Sequence, residues 1–264
     1  MEYFLDNLQS YEGDTIKTED GNHMVAIHIF DSIGIEHNYV LDIGTYSIHR
    51  SNVTPIMDEY DIKGLLFDGQ NKHKEPELVK VWLEEDSIEQ ILVDNNCPKN
   101  LDYISIDIDN MDYWILKRVL KCGYDANLII VEFNPLWSYN ESFTKIYNVG
   151  AKKTDTITAR TSVYGASLLA FVNLLTKFNY RLIHVLKTLD SSYPEDQPSS
   201  NNALFIKSKF DYLDKFENQE DVIKKLLPEP FVEGTKMKRN SKRFNVVDLK
   251  ELKEIFKEKF FVEV

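Results

Sequence analysis

Carboxylates and one amide recur where short β-branched runs give way to turns. Asp42 precedes Ile43-Gly44, Asp68 precedes Gly69, Asp107 is followed by Asp109 and Asp112, and Glu132 is followed by Phe133-Asn134. Asp107, Asp109 and Asp112 lie within six residues. Such carboxylates repel one another unless water, a cation or a basic group compensates. Asp107, Asp109 and Glu132 offer hard oxygen ligands that suit Mg²⁺ or Mn²⁺, and Asn134 adds an amide oxygen. A cation there could bind and activate a substrate hydroxyl. The plainer reading is that Asp109 and Asp112 decorate the start of a helix, where free N–H groups favour negative charge. His49 offers a near-neutral base for taking a proton from a hydroxyl, whereas His184 lies inside an apolar run and reads as a core residue.

These groups need a frame to hold them. Apolar runs at 39–44, 62–68, 79–83, 103–107, 128–133, 181–186 and 203–207 have the length of covered strands and end in polar or glycine turns. Helical spacing appears at 112–122 and, more apolar, at 164–178. This alternation predicts βαβ units and a doubly wound, seven-stranded, mainly parallel α/β sheet. Ligands of such sheets bind beyond the carboxyl ends of the strands, where strand order reverses. The acidic strand ends therefore collect on one edge. Gly44 allows a tight turn and a close approach. Asp68, at the end of the second strand, can accept both hydroxyl hydrogens of a ribose.

Three segments break the rhythm. Residues 1–20 are polar and read as an arm. Residues 136–163 form a long excursion after the fifth strand, a length that suggests a lid. It carries Trp137, Tyr139, Tyr147, Lys152, Lys153 and Arg160, basic and aromatic groups that would suit a phosphate or phosphoramidate on a sugar if they are not simply solvated. Residues 188–201 connect the last two strands. The main domain thus spans 1–208, and 209–264 reads as a helical C-terminal extension. There, residues 248–260 place Leu249, Leu252, Ile255, Phe256 and Phe260 on one face, for docking on the core or for contact with a second copy in a homo-oligomer.

The chain has 264 residues, 31 basic against 43 acidic, and a net charge of -12, which disfavours a nucleic-acid partner. Its 43% apolar content supports a full core. Two cysteines, Cys97 and Cys122, make no disulfide framework and suit a reducing cytoplasm. The first residues read as neither a signal peptide nor a membrane span, and no apolar run approaches the ~20 residues that a bilayer requires.

NYVLDIGTYSIHRSN, GLLFDGQ, the run from VKVWLEED through DYISIDIDNMDYWILK, and LIIVEFNP together resemble class I S-adenosylmethionine-dependent methyltransferases. The nearest likeness is to the FkbM-type and related sets associated with surface-glycan genes. The resemblance spans roughly residues 20–208, and DYISIDIDNMDYW followed by VEFNP is its most specific part. It implies S-adenosylmethionine as cofactor, held by Asp42, Gly44, Asp68, Gly69 and Asp107, with residues 83–85 beside the adenine. Ser51 and Asn52, with Arg50, are candidates for its carboxylate. It further implies methyl transfer to oxygen of a small carbohydrate-like acceptor in capsule tailoring; from their residue types and positions, Asp107, Asp109, Glu132, Asn134 and His49 are the candidates for the acceptor side. The chain departs from the family in its first loop, where Tyr46, Ile48 and His49 replace a glycine-rich stretch. That departure leaves a non-catalytic scaffold as an alternative. Asn134-Pro135-Leu136-Trp137 approximates the Asn-Pro-Pro-Tyr motif of nucleic-acid base methyltransferases, with leucine breaking the third position. A GxGxxG loop is absent, which argues against a nicotinamide-dependent oxidoreductase.

Overall fold

The computed structural model describes residues 22–70, 74–108, 110–134, 137–138, 140–147, 165–188, 200–213, 254, 257–258 and 260–264. The arm at 1–20, Asp109, Tyr139, most of the lid segment and most of 209–264 lie outside the described residues.

Alternation within the strands builds a sheet covered on both faces. Strands β1 (Tyr39–Ile43), β2 (Lys63–Asp68), β3 (Leu78–Lys80), β4 (Asn100–Ile106), β5 (Asp125–Glu132), β7 (Tyr180–Thr188) and β8 (Ser200–Lys207) pair in the order β3-β2-β1-β4-β5-β8-β7. All run parallel except β8, which is antiparallel to both neighbours. The fold is therefore the expected seven-stranded, mainly parallel α/β sheet. Strand order reverses between β1 and β4, whose last paired residues are Ile43 and Ile106.

Leu41, Ile43, Phe67, Ile104, Ile106, Ile129 and Val131 face helices α3 (Ile88–Asp94), α4 (Asp112–Lys121) and α5 (Leu168–Thr176). Val40, Leu66, Tyr103, Leu128 and Ile130 face helices α1 (Asn22–Ile33) and α2 (Thr54–Tyr60). The strict period of two splits the core into these two layers. Among the described residues no helix is long and apolar enough to cross a membrane.

Several elements differ from the sequence reading. Helix α1 was not expected; it buries Val25, Ala26, Ile29 and Phe30 and closes where Gly34, at φ +79, donates its N–H to the Phe30 carbonyl at 2.7 Å. β3 stops at Lys80, and after a last bond from Val81 N to the Asp68 carbonyl (3.0 Å) the chain leaves the ladder. α5 begins at Leu168 rather than 164 because residues 165–167 bond to the segment at 143–145, while the Ser167 side chain caps the helix by accepting from Ala170 N at 3.1 Å. Near the C-terminus, β9 (Phe261–Glu263) pairs with β6 (Phe143–Lys145) as a separate two-stranded sheet. Part of the expected lid is thus pinned. Trp137 packs between Phe143 and Phe261, with ring centroids 4.9 and 4.8 Å away, and Lys257 pairs with Glu141 at 3.2 Å.

At the opposite edge of the sheet, fully buried Asp102 closes the entry to β1. Its carboxylate accepts from Glu36 N (2.8 Å), His37 N (3.0 Å), Tyr39 N (3.4 Å) and Asn127 Nδ2 (3.2 Å). Removing this acceptor deprives the buried Asn127 amide and three part-buried backbone N–H groups of their partner. Asp102→Ala is expected to lower unfolding free energy by about 3 kcal/mol in urea titration. A loss below about 1 kcal/mol would mean that the α1–β1 turn is held by other contacts.

Candidate functional site

The site begins with a glycine. Gly44, at φ +103, ends β1, and its N–H and that of Thr45 both donate to the Phe67 carbonyl, at 2.9 and 3.0 Å. Asp107 N donates to the Ile43 carbonyl at 2.9 Å. A Cβ on Gly44 would lie 1.7 Å from the Asp107 carbonyl oxygen. Glycine is required here because the backbone just after β4 crosses directly over it. The ends of β1, β2 and β4 are laced together, and a cleft opens on their edge.

Its walls are Gly44 and Tyr46 from the first loop, Phe67 to Gln70 at the end of β2, Val81 to Leu83 after β3, and Asp107, Ile108, Asn110 and Met111 after β4. Four expected cofactor residues therefore share one cleft: Gly44, Asp68, Gly69 and Asp107. Asp68 is half-buried, and its Oδ1 accepts from Gln70 N at 2.6 Å, which fixes the turn that presents the carboxylate. Leu83, expected beside an adenine, also lines the wall, while Glu85 N donates to the Tyr147 hydroxyl at 3.0 Å. Asp107 is not the last strand residue: β4 ends at Ile106, and the next turn is closed by Ile108 N donating to buried Asp112 at 2.7 Å. Asp112 thus supports the start of α4, the plainer of the two roles the sequence offered.

The remaining candidates lie elsewhere. Asp42, two residues from Val40, faces the α1–α2 layer and is 3% exposed. Its carboxylate accepts from Ser51 Oγ at 2.7 Å, and that oxygen accepts from Val53 N and Thr54 N at 3.1 and 3.2 Å. Asn52 Nδ2 donates to Ser105 Oγ at 3.3 Å. Asp42, Ser51 and Asn52 therefore anchor the first loop and the start of α2 beneath the cleft; none of them is in its wall. His49 sits exposed on a 3₁₀ turn, Ile48–Arg50, which is held by Glu75 accepting from Ile48 N at 2.7 Å. That turn carries the bulky residues away from the wall, except Tyr46, whose ring lies 5.5 Å from the Arg50 guanidinium. Glu132 is half-buried beside Asn202 on β8, and Asn134 is fully buried with its N–H donated to the Ala166 carbonyl at 2.7 Å. Neither lines the cleft. Among the described residues no three His, Cys, Asp or Glu side chains gather as a metal group, and Asp109 is outside them.

Trp82 and Asn110 are cleft residues the sequence reading passed over. Asn110 Oδ1 accepts from the buried Lys145 ammonium at 2.7 Å, so the amide is oriented from behind by β6. The signal for Asn110 was its place in the acidic run after β4; the Lys145 contact, 35 residues away, has no local signature.

No protein-family model and no curated protein matches the chain. Among solved structures it is similar to an O-methyltransferase from Bacillus cereus in complex with SAH, at 14% identity over 78% of this chain and 92% of that one, with a TM-score of 0.40. A protein from Listeria monocytogenes assigned as an S-adenosylmethionine-dependent methyltransferase gives 12% identity over 78% and 97% of the two chains, with a TM-score of 0.35. A pericyclic reaction enzyme gives 12% over 64% and 42%, with a TM-score of 0.31. The strand order stands on the backbone pairing itself; likenesses this distant carry no activity to this chain.

Burial pushes the Asp42 carboxyl above the ordinary aspartate range, and the hydroxyls of Thr45, Ser51 and Ser105 only partly oppose it. An acid whose folded pKa is raised stabilises the fold below its unfolded pKa, near 3.9, and loses that contribution as pH rises through the folded value. Asp42→Asn, which keeps an acceptor for Ser51, is therefore expected to gain stability relative to the parent as pH rises from about 4 towards neutrality. Paired thermal melts across that range check it, and a constant difference would contradict it.

Proposed function

We propose that the chain is an S-adenosylmethionine-dependent methyltransferase acting on oxygen of a small, polar acceptor. The observation that carries the reading is the half-buried Asp68 carboxylate in a cleft at the β1/β4 reversal, one wall of which is the Gly44 turn. A carboxylate there can take the two hydroxyls of a ribose. Asp107, which also lines the cleft, takes the amino-acid end in this reading. Held by Asp68 and Asp107, the cofactor would supply an electrophilic sulfonium methyl, which an acceptor hydroxyl would take with loss of its proton to solvent, leaving a neutral thioether. The cleft residues hold the two partners in line and away from water.

The finer reading is a carbohydrate-like or phosphorylated acceptor in surface-polysaccharide tailoring, in the cytoplasm, with a homo-oligomer formed through the C-terminal residues. It rests on the sequence resemblance and on the basic and apolar residues of the excursion and the extension. A Mg²⁺ or Mn²⁺ site would need Asp109 beside Asp107 and Glu132. Base methylation is disfavoured by two burials: Trp137, which would stack on a base, is 3% exposed between Phe143 and Phe261, and Asn134 is 0% exposed.

Asp68→Ala is expected to weaken S-adenosylmethionine binding by about tenfold to a hundredfold, the loss of charge-assisted bonds to a diol. Equilibrium dialysis with labelled cofactor checks it. Equal binding by parent and variant would remove Asp68 from the site.

A further inference from the structure

Among the described polar side chains of the cleft wall, Asn110 alone is buried, at 5% exposure; Asp68 and Asp107 are half-buried, and Tyr46 and Gln70 are exposed. The Asn110 amide oxygen accepts from the Lys145 ammonium at 2.7 Å, and Lys145 is itself buried. An ammonium offers donors and no acceptor, so it fixes which way the amide is turned: a flipped amide would set its N–H₂ against the N–H₃⁺. With the oxygen committed to Lys145, the N–H₂ is the end that Asn110 can offer a ligand. The ammonium also polarises the amide and strengthens it as a donor, as linked hydrogen bonds do in surroundings of low dielectric. A buried ammonium is costly to place, and the backbone that carries this one is fixed on several sides. Lys145 N donates to the Gly165 carbonyl at 3.0 Å, the Lys145 carbonyl accepts from Trp114 Nε1 at 2.8 Å, and Lys145 stands opposite Phe261 of β9. Three separate segments therefore aim one ammonium at one amide.

We propose that Lys145 is a positioning residue for the methyl transfer: it holds Asn110 as a donor whose N–H₂ meets the acceptor oxygen. The proposal deepens the function given above and rests on it. In that reading Asp68 and Asp107 serve the cofactor through carboxylate oxygens, which only accept. Asn110 adds the complementary group, and a donor selects an acceptor that presents a lone pair. A hydroxyl oxygen has two lone pairs, so one can receive the Asn110 N–H while the other attacks the methyl. As the hydroxyl gives up its proton, its oxygen becomes more negative and the N–H···O bond strengthens. The contact therefore favours the transition state over the bound ground state. An amine nitrogen has a single lone pair, which the new bond consumes, so it leaves Asn110 nothing to donate to. The pair of Lys145 and Asn110 thus selects hydroxyl acceptors against amines.

The test measures methyl transfer from labelled S-adenosylmethionine to glucose, glucuronate, glycerol, inositol and phenol, with aniline as the amine control, while calorimetry follows S-adenosylhomocysteine. The parent is expected to methylate a hydroxyl probe and to leave aniline unmodified. Asn110→Asp keeps the size of the side chain and a partner for Lys145 but has no N–H₂ to donate. It is expected to keep the parent's melting temperature, to bind S-adenosylhomocysteine within about threefold, and to lose about a hundredfold in kcat with KM little changed, as loss of a donor to a developing oxyanion implies. Lys145→Met, which frees the amide to turn, is expected to lose about tenfold in kcat, less than removal of the donor itself. An Asn110→Asp enzyme as active as the parent would reduce the Lys145 contact to structural support and overturn the proposal. Loss of S-adenosylhomocysteine binding in that variant would assign Asn110 to the cofactor, overturning the proposal and leaving the methyltransferase reading standing. Transfer to aniline, or cofactor binding without transfer to any hydroxyl probe, would overturn the hydroxyl selection. Absence of S-adenosylhomocysteine binding to the folded parent would overturn the methyltransferase reading itself.

Discussion

Everything at the candidate site depends on one close approach of backbone to backbone. The Asp107 carbonyl occupies the space where a side chain on Gly44 would begin, 1.7 Å from its ideal Cβ position. Only a residue without Cβ tolerates that contact, and only glycine is comfortable at φ +103. With it, β1 and β4 end side by side and share the bond from Asp107 N to Ile43 O, while Phe67 O of β2 accepts from Gly44 and Thr45. The three strand ends thereby become one rigid rim. Asp68, Gly69, Asp107 and Asn110 are cleft residues because that rim holds the turns that carry them.

Two kinds of residue support the rim from behind. Asp42 and Ser51 tie the first loop to the start of α2 within the α1–α2 layer, so the loop is held by buried polar contacts in place of glycines. Lys145 and Trp114 tie β6 to the loop after β4 and to α4, and the pairing of β6 with β9 brings the last residues of the chain to the same side. A support built from segments more than a hundred residues apart makes cooperative behaviour the expectation: loss of β9 would be felt at Asn110 through Lys145.

Much of the sheet was legible in the sequence. β1, β2, β4 and β5 are dense apolar runs between turn residues, and the acidic groups after them fall at the edge that the doubly wound topology predicts. The same periodicity that located β1 also sets the face of Asp42: two residues from Val40, it shares that face of the strand. Trp82 went unrecognised because VKVWL reads as one strand, whereas the ladder ends at Lys80. β9 is three residues long and defined by a distant partner, so it has no local signal of its own. Residues that pack by sequence-distant contact, such as Lys145 on Asn110 or Asp102 on the α1–β1 turn, are beyond any window-based reading.

The most direct measurement is a crystal structure of the protein grown with S-adenosylhomocysteine. The account predicts the ligand lying across the β1/β4 reversal, its ribose hydroxyls within hydrogen-bonding distance of Asp68 and its amino-acid end toward Asp107, with Gly44 and the Asp107 carbonyl unmoved. Ligand density at another edge of the sheet, or a ribose held by groups other than Asp68, would contradict it.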